Sequence, residues 1–357
     1  MNELKRKIND RQVALLLCFV YGKEYPISSI TLFISSIQNS VSLATLKRDL
    51  TELTQLNYIQ KNGEKRTLIY SLSSYGLLHR PYNLDVYGKD EQKNNGMTRY
   101  HFPLFSILEK EAIFSEEELL SLSNATKEYK EKAKESSPLI QKKELERFII
   151  ELSWKSSKIE GNTYTLLDTE KLLKEGIASS SHTKDEATMI VNHKKAFEYI
   201  VASIGAGKSV ISFRELENIH RLLVDSLGVN HGLRRGAVGI TGSVYLPIDV
   251  NQTLEEETKK CIDVIKVKNN FFEKALIAIL CTSYLQPFED GNKRTSRLFG
   301  NGILLEGGYA PLSYRSVDEK KYREAMLVFY EQNSIEAFKK IFIEQYIFAC
   351  QNYNIAS

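Results

Sequence analysis

Near its C-terminal end the chain reads Gln286-Pro287-Phe288-Glu289-Asp290-Gly291-Asn292-Lys293-Arg294-Thr295-Ser296-Arg297. This run stands at the entrance of a predicted helix, whose first N–H groups and positive dipole end favour an anion. Gly291 frees the backbone to approach that anion, and Asn292 can donate its side-chain amide. Arg294 and Arg297 share one helix face and can converge on a phosphate tail. Because Asp290 adds a hard oxygen ligand suited to Mg²⁺, the run predicts a phosphate-binding loop with a metal ligand.

The composition is that of a globular protein of two or three domains, with 357 residues, 42% of them hydrophobic and 26% charged. No apolar run reaches the ~20 residues of a membrane span, so we expect no membrane partner. The four cysteines are scattered in apolar helical contexts, which predicts reduced thiols and a cytoplasmic protein. Residues 1–80 have a net charge of +5 and the remainder has −2, which gives +3 for the whole chain. Only the first part therefore fits a polyanion partner.

The first 80 residues predict three helices followed by a hairpin. Asp10 is the expected cap of a helix over Arg11–Tyr21, a second helix covers about 28–37, and Ser42 caps a third over Leu43–Leu56. Asn62-Gly63 between alternating residues is a hairpin signal.

This order resembles a winged helix-turn-helix domain, and residues 45–50 are similar to the recognition-helix run of many bacterial repressors. The resemblance implies contacts with DNA through Thr45, Lys47, Arg48, Lys61, Lys65 and Arg66, the last three touching phosphates from the wing. The alternative is a protein-interaction or dimerisation module.

After this domain we expect a connecting hairpin or linker over 81–110 and a nearly all-helical domain over 111–357. The predicted exception in the helical domain is the glycine-rich stretch 236–247, whose alternating β-formers suggest a short hairpin. The predicted fold class is therefore mainly α.

The opening run resembles the signature of the Fic (Fido) family, His-Pro-Phe-x-Asp/Glu-Gly-Asn-x-Arg-x-x-Arg, with Gln286 at the first position. Members of that family typically transfer AMP from Mg-ATP to a Ser, Thr or Tyr hydroxyl of a protein. The resemblance implies an all-helical Fic core with a hairpin flap, and ATP and Mg²⁺ as ligands. It assigns nucleotide binding to Gly291, Asn292, Lys293, Arg294 and Arg297, and the metal to Asp290.

Two further segments resemble parts of the same family. Ser156-Ser157-Lys158-Ile159-Glu160-Gly161 is similar to its inhibitory sequence, on a helix expected over about 140–161. That likeness implies that Glu160, with Ser156 and Gly161 in the motif, pairs with Arg297 and excludes the γ-phosphate. The stretch 234–247 is similar to the family's flap, which docks a target segment by backbone pairing. Its matching positions include Val238, Ile240, Gly242 and Tyr245.

Gln286 occupies the position of the family's general base. A neutral imidazole accepts a hydroxyl proton near neutral pH, whereas an amide has no usable basicity there. Losing a positioned base typically costs ~10²–10⁴ in rate. His231 is the one other histidine kept as a substitute, because His193 and His220 lie in packing patterns. Lys293 is a second departure, similar to a branch that transfers phosphate rather than AMP.

The sequence thus predicts an autoinhibited Fic-type protein adenylyltransferase whose transfer is weakened or lost. The alternative is a catalytically inactive, nucleotide-sensing, DNA-binding transcriptional regulator. Both hypotheses have ATP as a partner, and a homodimer is compatible with either.

Overall fold

The computed structural model describes residues 8–37, 41–64, 67–87, 96–248 and 251–355. These divide into two compact units, one made of Met1–Gly96 with Glu331–Ala337 and the other of Met97–Tyr330 with Phe338–Ser357. The mainly helical fold predicted from the sequence is confirmed. Of the helices in the described ranges, none is long and apolar enough to cross a membrane.

The first unit combines short helices with a small antiparallel sheet. Its elements are α1 (Asp10–Leu17), β1 (Glu24–Pro26), α2 (Ile27–Ile37), α3 (Leu43–Gln55), β2 (Ile59–Asn62), β3 (Ile69–Leu72), α4 (Ser74–His79) and α5 (Leu84–Tyr87), with strand order β1-β3-β2. Leu46, Leu50 and Leu53 form the buried stripe of α3. The cap of α1 is Asn9, in a capping box with Gln12, and not Asp10 as predicted. The winged-helix interpretation stays a prediction.

The described part of the segment expected to be a connecting hairpin or linker, 81–110, contains two short helices and no hairpin. Residues 84–87 form α5 and residues 104–110 form α6, while the polar tip expected over 89–95 lies outside the described residues. Asn83 explains the first helix, since its side chain accepts a hydrogen bond from the backbone N–H of Asp85 and so favours a helical turn.

The second unit is a helical assembly that positions the loop 286–291. Its helices are α6 (Leu104–Lys110), α7 (Glu116–Glu135), α8 (Pro138–Ile159), α9 (Leu166–Glu175), α10 (Lys184–Gly205), α11 (Phe213–Leu223), α12 (Asn251–Val267), α13 (Phe271–Leu285) and α14 (Asn292–Glu306). They are followed by α15 (Glu319–Gln332) and α16 (Glu336–Asn352), of which residues 331–332 and 336–337 belong to the first unit. The helices α13 and α14 are almost entirely buried and pack closely. Gly300 permits this approach, because a Cβ there would lie 2.5 Å from a side-chain carbon of Ile279.

The stretch 234–247 forms a turn without the predicted strand pairing. Ser243 donates its N–H to the carbonyl of Ile240 at 3.1 Å, and Gly242 has φ +80°, which is typical of a type II turn. No ladder joins the two arms within the described residues. The backbone groups bond elsewhere: the carbonyl of Gly236 accepts from Arg234, and Leu246 donates to Thr98.

Candidate active site

Two left-handed residues shape the loop between α13 and α14. Gln286 caps the C-terminus of α13 with φ 48° and ψ 60°, and Gly291 precedes α14 with φ 78°. A Cβ at Gly291 would be strained by that φ and would meet Val224 at 3.1 Å. Because Gly291 has no side chain to cap α14, the first N–H groups of that helix remain to be satisfied at the loop.

The Gln286 side chain is held by a complete amide network. It is 8% exposed, and its Nε2 donates to the carbonyl of Ser283 at 2.7 Å. Its Oε1 accepts from Nδ2 of Asn292 at 2.9 Å, and that same Nδ2 donates to the carbonyl of Phe288. Both hydrogens of the Asn292 amide are therefore used within the loop. Asn292 thus holds the loop together. In this arrangement its side-chain amide has no hydrogen left for the predicted bond to an anion.

Arg234 fixes the same loop from the flap side. It is 2% exposed, and its Nε donates to the carbonyl of Gln286 at 2.6 Å. Its other nitrogens donate to the carbonyls of Gly236 and Ile248. One guanidinium thus ties the left-handed turn at Gln286 to both ends of the flap.

Arg294 presents an unsatisfied donor at the loop. The side chain is 3% exposed, and its Nη2 donates to Oδ2 of Asp290 at 3.2 Å. Its Nη1 is buried and has no hydrogen-bond partner among the described residues. The Asp290 carboxylate is 70% exposed, so it lies at the rim of the site.

Arg297 is fully buried and bound to the inhibitory segment predicted from the sequence. Its Nε donates to Oγ of Ser156, its Nη2 to the Ser156 carbonyl, and its Nη1 to Oε1 of Glu160 at 2.9 Å. The contact that the resemblance implied is therefore present. Gly161 follows Glu160 with φ 97°, a conformation that ends α8 there.

Lys293 meets the second oxygen of Glu160, with its Nζ 3.5 Å from Oε2. Burial by itself would raise the pKa of the Glu160 carboxyl. The charges of Arg297 and Lys293 and the hydrogen bond from Arg297 outweigh that effect and hold the pKa below its ordinary value. Glu160 is therefore ionised at neutral pH and clamped by two cations.

The histidines near the loop are buried packing groups or lie off the cavity wall. The ring of His220 stacks on Phe288 at 3.8 Å, and its Nε2 lies 3.0 Å from the carbonyl of Asp290. Burial lowers the pKa of His220 to about 4, so the ring is a neutral packing group at neutral pH. Burial also lowers the pKa of His193, which is fully buried, whereas His231 is exposed and is absent from the cavity wall.

Part of the predicted flap faces a cavity and part anchors the core. Val238 and Ile240 line the cavity, and Gly242 lies at the tip of the turn. Tyr245 is fully buried, stacks on Tyr284 and donates its hydroxyl to the Tyr284 carbonyl at 3.1 Å. Its ring therefore holds the flap in place and does not face a target.

The cavity has a volume of about 680 Å³ and joins these groups. Its walls are the α14 entrance from Asp290 to Arg294, the end of α8 at Glu160, the flap residues 238–241, and a face of α15. The α15 wall was missed by sequence reasoning. Its signal was the spacing of Tyr322, Met326 and Tyr330, but that i, i+4, i+8 pattern also describes an ordinary core stripe.

The residues predicted to contact DNA lie in the other unit. Lys47 and Arg48 are exposed on α3, Thr45 is half-buried, and Lys61 is exposed on β2. Lys65 and Arg66 lie outside the described residues. Among the described residues, no group of three or more His, Cys, Asp or Glu side chains could hold a metal ion by itself.

Comparison with known proteins relates the helices around the loop to one family. Residues 210–304 match the family model described as Fic/DOC family, which covers α11, the flap and the loop up to most of α14. The chain is similar to Fic domains over this range. It is 29% identical over 178 residues to the protein adenylyltransferase Fic of Aedes aegypti, covering 48% of this chain and 35% of that protein. It is 28% identical over 176 residues to the protein of the same name from Nematostella vectensis, covering 47% of this chain and 40% of that one.

Solved structures with a Fic domain share the fold. A Fic domain containing signaling protein from Bacteroides thetaiotaomicron superposes with a TM-score of 0.55 at 18% identity, covering 65% of this chain and 94% of that one. Fic-1 from C. elegans also gives 0.55 at 18% identity, covering 66% and 71%. The curated relatives are longer than the match, since the chain spans about a third of the length of the first of them.

Proposed function

We propose that the cavity is the Mg-ATP site of a Fic-type protein adenylyltransferase, held closed by Glu160, in which transfer is weak or absent because Gln286 stands at the base position. The observation that carries the proposal is the arrangement of two buried arginines at one helix entrance. Arg294 has an unpartnered nitrogen, and Arg297 is occupied by Glu160. A triphosphate would satisfy the first and must compete for the second.

The residues present fit a magnesium ion that arrives with a nucleotide. Mg²⁺ usually keeps several waters and takes one or two carboxylates together with substrate phosphates. Asp290 offers one exposed carboxylate beside the phosphate-binding end of α14. The ion would supply charge neutralisation at the phosphates, and Asp290 would hold it.

The chemistry that this chain's own residues can perform is positioning rather than proton removal. The α14 N-terminus and Arg294 would orient the phosphates, and Val238 and Ile240 would border the segment that brings the hydroxyl. Gln286 can accept a hydrogen bond but cannot take the hydroxyl proton near neutral pH. Its two polar atoms are also already bonded to Ser283 and Asn292.

A transfer assay tests the proposal with ATP labelled at the α- or the γ-phosphate. The unmodified chain, Gln286→His, Glu160→Gly and the double variant are compared for labelling of the chain itself and of a cell lysate, and for pyrophosphate release. We expect the double variant to be the strongest and to carry the α-label. Labelling by the unmodified chain equal to that of Gln286→His would refute the role of Gln286. Label from the γ-position would instead indicate phosphate transfer, the branch that Lys293 resembles.

The second candidate is a nucleotide-sensing, DNA-binding transcriptional regulator. The observation that favours it is the exposed pair Lys47 and Arg48 on α3, in a unit with a net charge of +5 over residues 1–80. A gel-shift assay with random-sequence duplex DNA, with and without Mg-ATP, tests it. Retardation that is lost in Lys47→Ala/Arg48→Ala supports this candidate, and no retardation of the unmodified chain at low salt contradicts it.

A further inference from the structure

The wall that α15 gives to the cavity contains two buried tyrosines. Tyr322 and Tyr330 lie eight residues apart on one face of the helix, with Met326 between them, and all three border the cavity. Both tyrosines are 0% exposed. They lie beside the inhibitory contact, since the charge of Glu160 acts on both phenols.

The hydroxyl oxygens of Tyr322 and Tyr330 are buried and have no hydrogen-bond partner among the described residues. The polar neighbours are Arg297 beside Tyr322 and Ser283 beside Tyr330, and neither reaches the hydroxyl with hydrogen-bond geometry. Arg297 lies over the face of the Tyr322 ring, with its carbon Cζ 5.5 Å from the ring centroid, and donates to Ser156 and Glu160. Ser283 donates its hydroxyl to Ser296 at 2.8 Å. Buried hydroxyls are rarely left unbonded, because each lost bond is unfavourable.

The closed state therefore concentrates unsatisfied donors around one ion pair. Nη1 of Arg294 and the hydroxyls of Tyr322 and Tyr330 all lack partners, and all three residues line the same cavity. Burial raises the pKa of both phenols, and for Tyr322 it outweighs the opposing effect of the Arg297 charge. Both hydroxyls consequently stay protonated at neutral pH and can act only as neutral donors to an incoming acceptor or as weak acceptors.

We propose that Tyr322 and Tyr330 are nucleotide-binding residues whose hydroxyls donate hydrogen bonds to phosphate oxygens of the bound triphosphate once Glu160 has moved away. This inference rests on the proposed function of the cavity. A triphosphate group offers many acceptor oxygens and no donors, which matches the unpartnered donors of Arg294, Tyr322 and Tyr330. Glu160 occupies Arg297 in the closed state, so its departure opens the region that the two phenols border.

The test replaces each hydroxyl by hydrogen in a chain that is already open. Tyr322→Phe and Tyr330→Phe are each made in the Glu160→Gly variant, and Mg-ATP binding is measured by calorimetry. The expected result is a roughly tenfold weaker affinity for each substitution, the usual loss for a hydrogen bond to a charged acceptor. Without nucleotide, the melting temperature should stay the same or rise, because an unsatisfied buried hydroxyl has been removed.

Tyr314→Phe is the matched control. Tyr314 is also buried with an unpartnered hydroxyl near Tyr322, but it does not border the cavity. Its replacement should leave Mg-ATP affinity unchanged.

Three outcomes would overturn the inference. If Glu160→Gly does not bind Mg-ATP, both the proposed function and the inference about the tyrosines are wrong. If that variant binds and both phenylalanine substitutions bind equally well, only the inference about the tyrosines is wrong. If either substitution lowers the melting temperature without nucleotide, its hydroxyl already has a bonding partner in the protein, and a structural role replaces the proposed one.

Discussion

Replacing Glu160 by glutamine should lower the free energy of unfolding and strengthen the binding of Mg-ATP. The substitution keeps the size of the side chain and removes its charge. Arg297 would then be fully buried without an anion, with Arg294 and Lys293 nearby. Ser156 would still accept two of its hydrogen bonds.

The magnitude follows from burial. Removing one partner of a buried ion pair costs about 3–5 kcal/mol. The Glu160 side chain keeps 19% of its exposure, and glutamine can still accept one hydrogen bond from Arg297, so we expect a loss of about 2–3 kcal/mol in the free energy of unfolding. In the parent, a nucleotide must break the ion pair between Glu160 and Arg297 before it can bind Arg297. Losing about 2–3 kcal/mol of that pair corresponds to roughly 30- to 150-fold tighter binding of Mg-ATP.

Chemical denaturation with and without Mg-ATP measures both effects. The variant should unfold at lower denaturant concentration than the parent. Mg-ATP at a hundredfold excess over its Kd should raise the free energy of unfolding of the variant by about 3 kcal/mol. Glu151→Gln is the control, because Glu151 is a buried carboxylate on the same helix that pairs with Arg315 at 2.7 Å and does not border the cavity. It should destabilise the protein without changing nucleotide affinity.

If Glu160→Gln is as stable as the parent and binds Mg-ATP no more tightly, the ion pair neither stabilises the protein nor opposes the nucleotide. A loss of stability with no gain in affinity would separate the two effects. Glu160 would then be a structural residue, and its inhibitory role would be wrong.

Gln286, Asp290 and His220 each carry a separate prediction. Gln286→His in the Glu160→Gly background should raise the rate of transfer by about 10²–10⁴, measured by label incorporation, and no gain would mean that the base is not what limits the reaction. Asp290→Asn should weaken the dependence of ATP binding on Mg²⁺ while leaving metal-free binding similar, as calorimetry with and without a chelator would show; an unchanged dependence would remove Asp290 as the ligand. For His220 the pKa is about 4 folded against 6.5 in the unfolded chain, so its contribution is fully present above pH 6.5 and is lost as the pH falls from 6.5 to 4. That loss is up to roughly 3 kcal/mol, and His220→Phe should flatten the slope of stability against pH in this window; an equally steep slope in the variant would assign the proton to another group.

The sequence predicted the loop because the residues that form it are neighbours in the chain. The glycine before α14, the arginine spacing and the entrance of the helix are all set by neighbouring residues. The contact between Glu160 and Arg297 spans 137 residues, and it was foreseen only through a resemblance between motifs. The atoms that surround it, including the second oxygen bound by Lys293, required the structure.

The differences between the predictions and the structure have separate causes. The 234–247 stretch has the alternation of a hairpin, but Arg234 takes carbonyls that a ladder would use. The strand β1 was missed because it has three residues and ends in Pro26, too short for a periodic signal. Asn292 was expected to serve a ligand, whereas its amide is used by Gln286 and Phe288. No pattern along the chain reveals which partner a side chain will meet.

A crystal structure of the Glu160→Gly variant soaked with Mg-ATP would show directly whether the cavity holds the triphosphate. The account predicts phosphate density within hydrogen-bond distance of the α14 N-terminus and of Nη1 of Arg294, with Arg297 released from position 160. A nucleotide bound elsewhere, or phosphates that leave Nη1 of Arg294 without an acceptor, would contradict it.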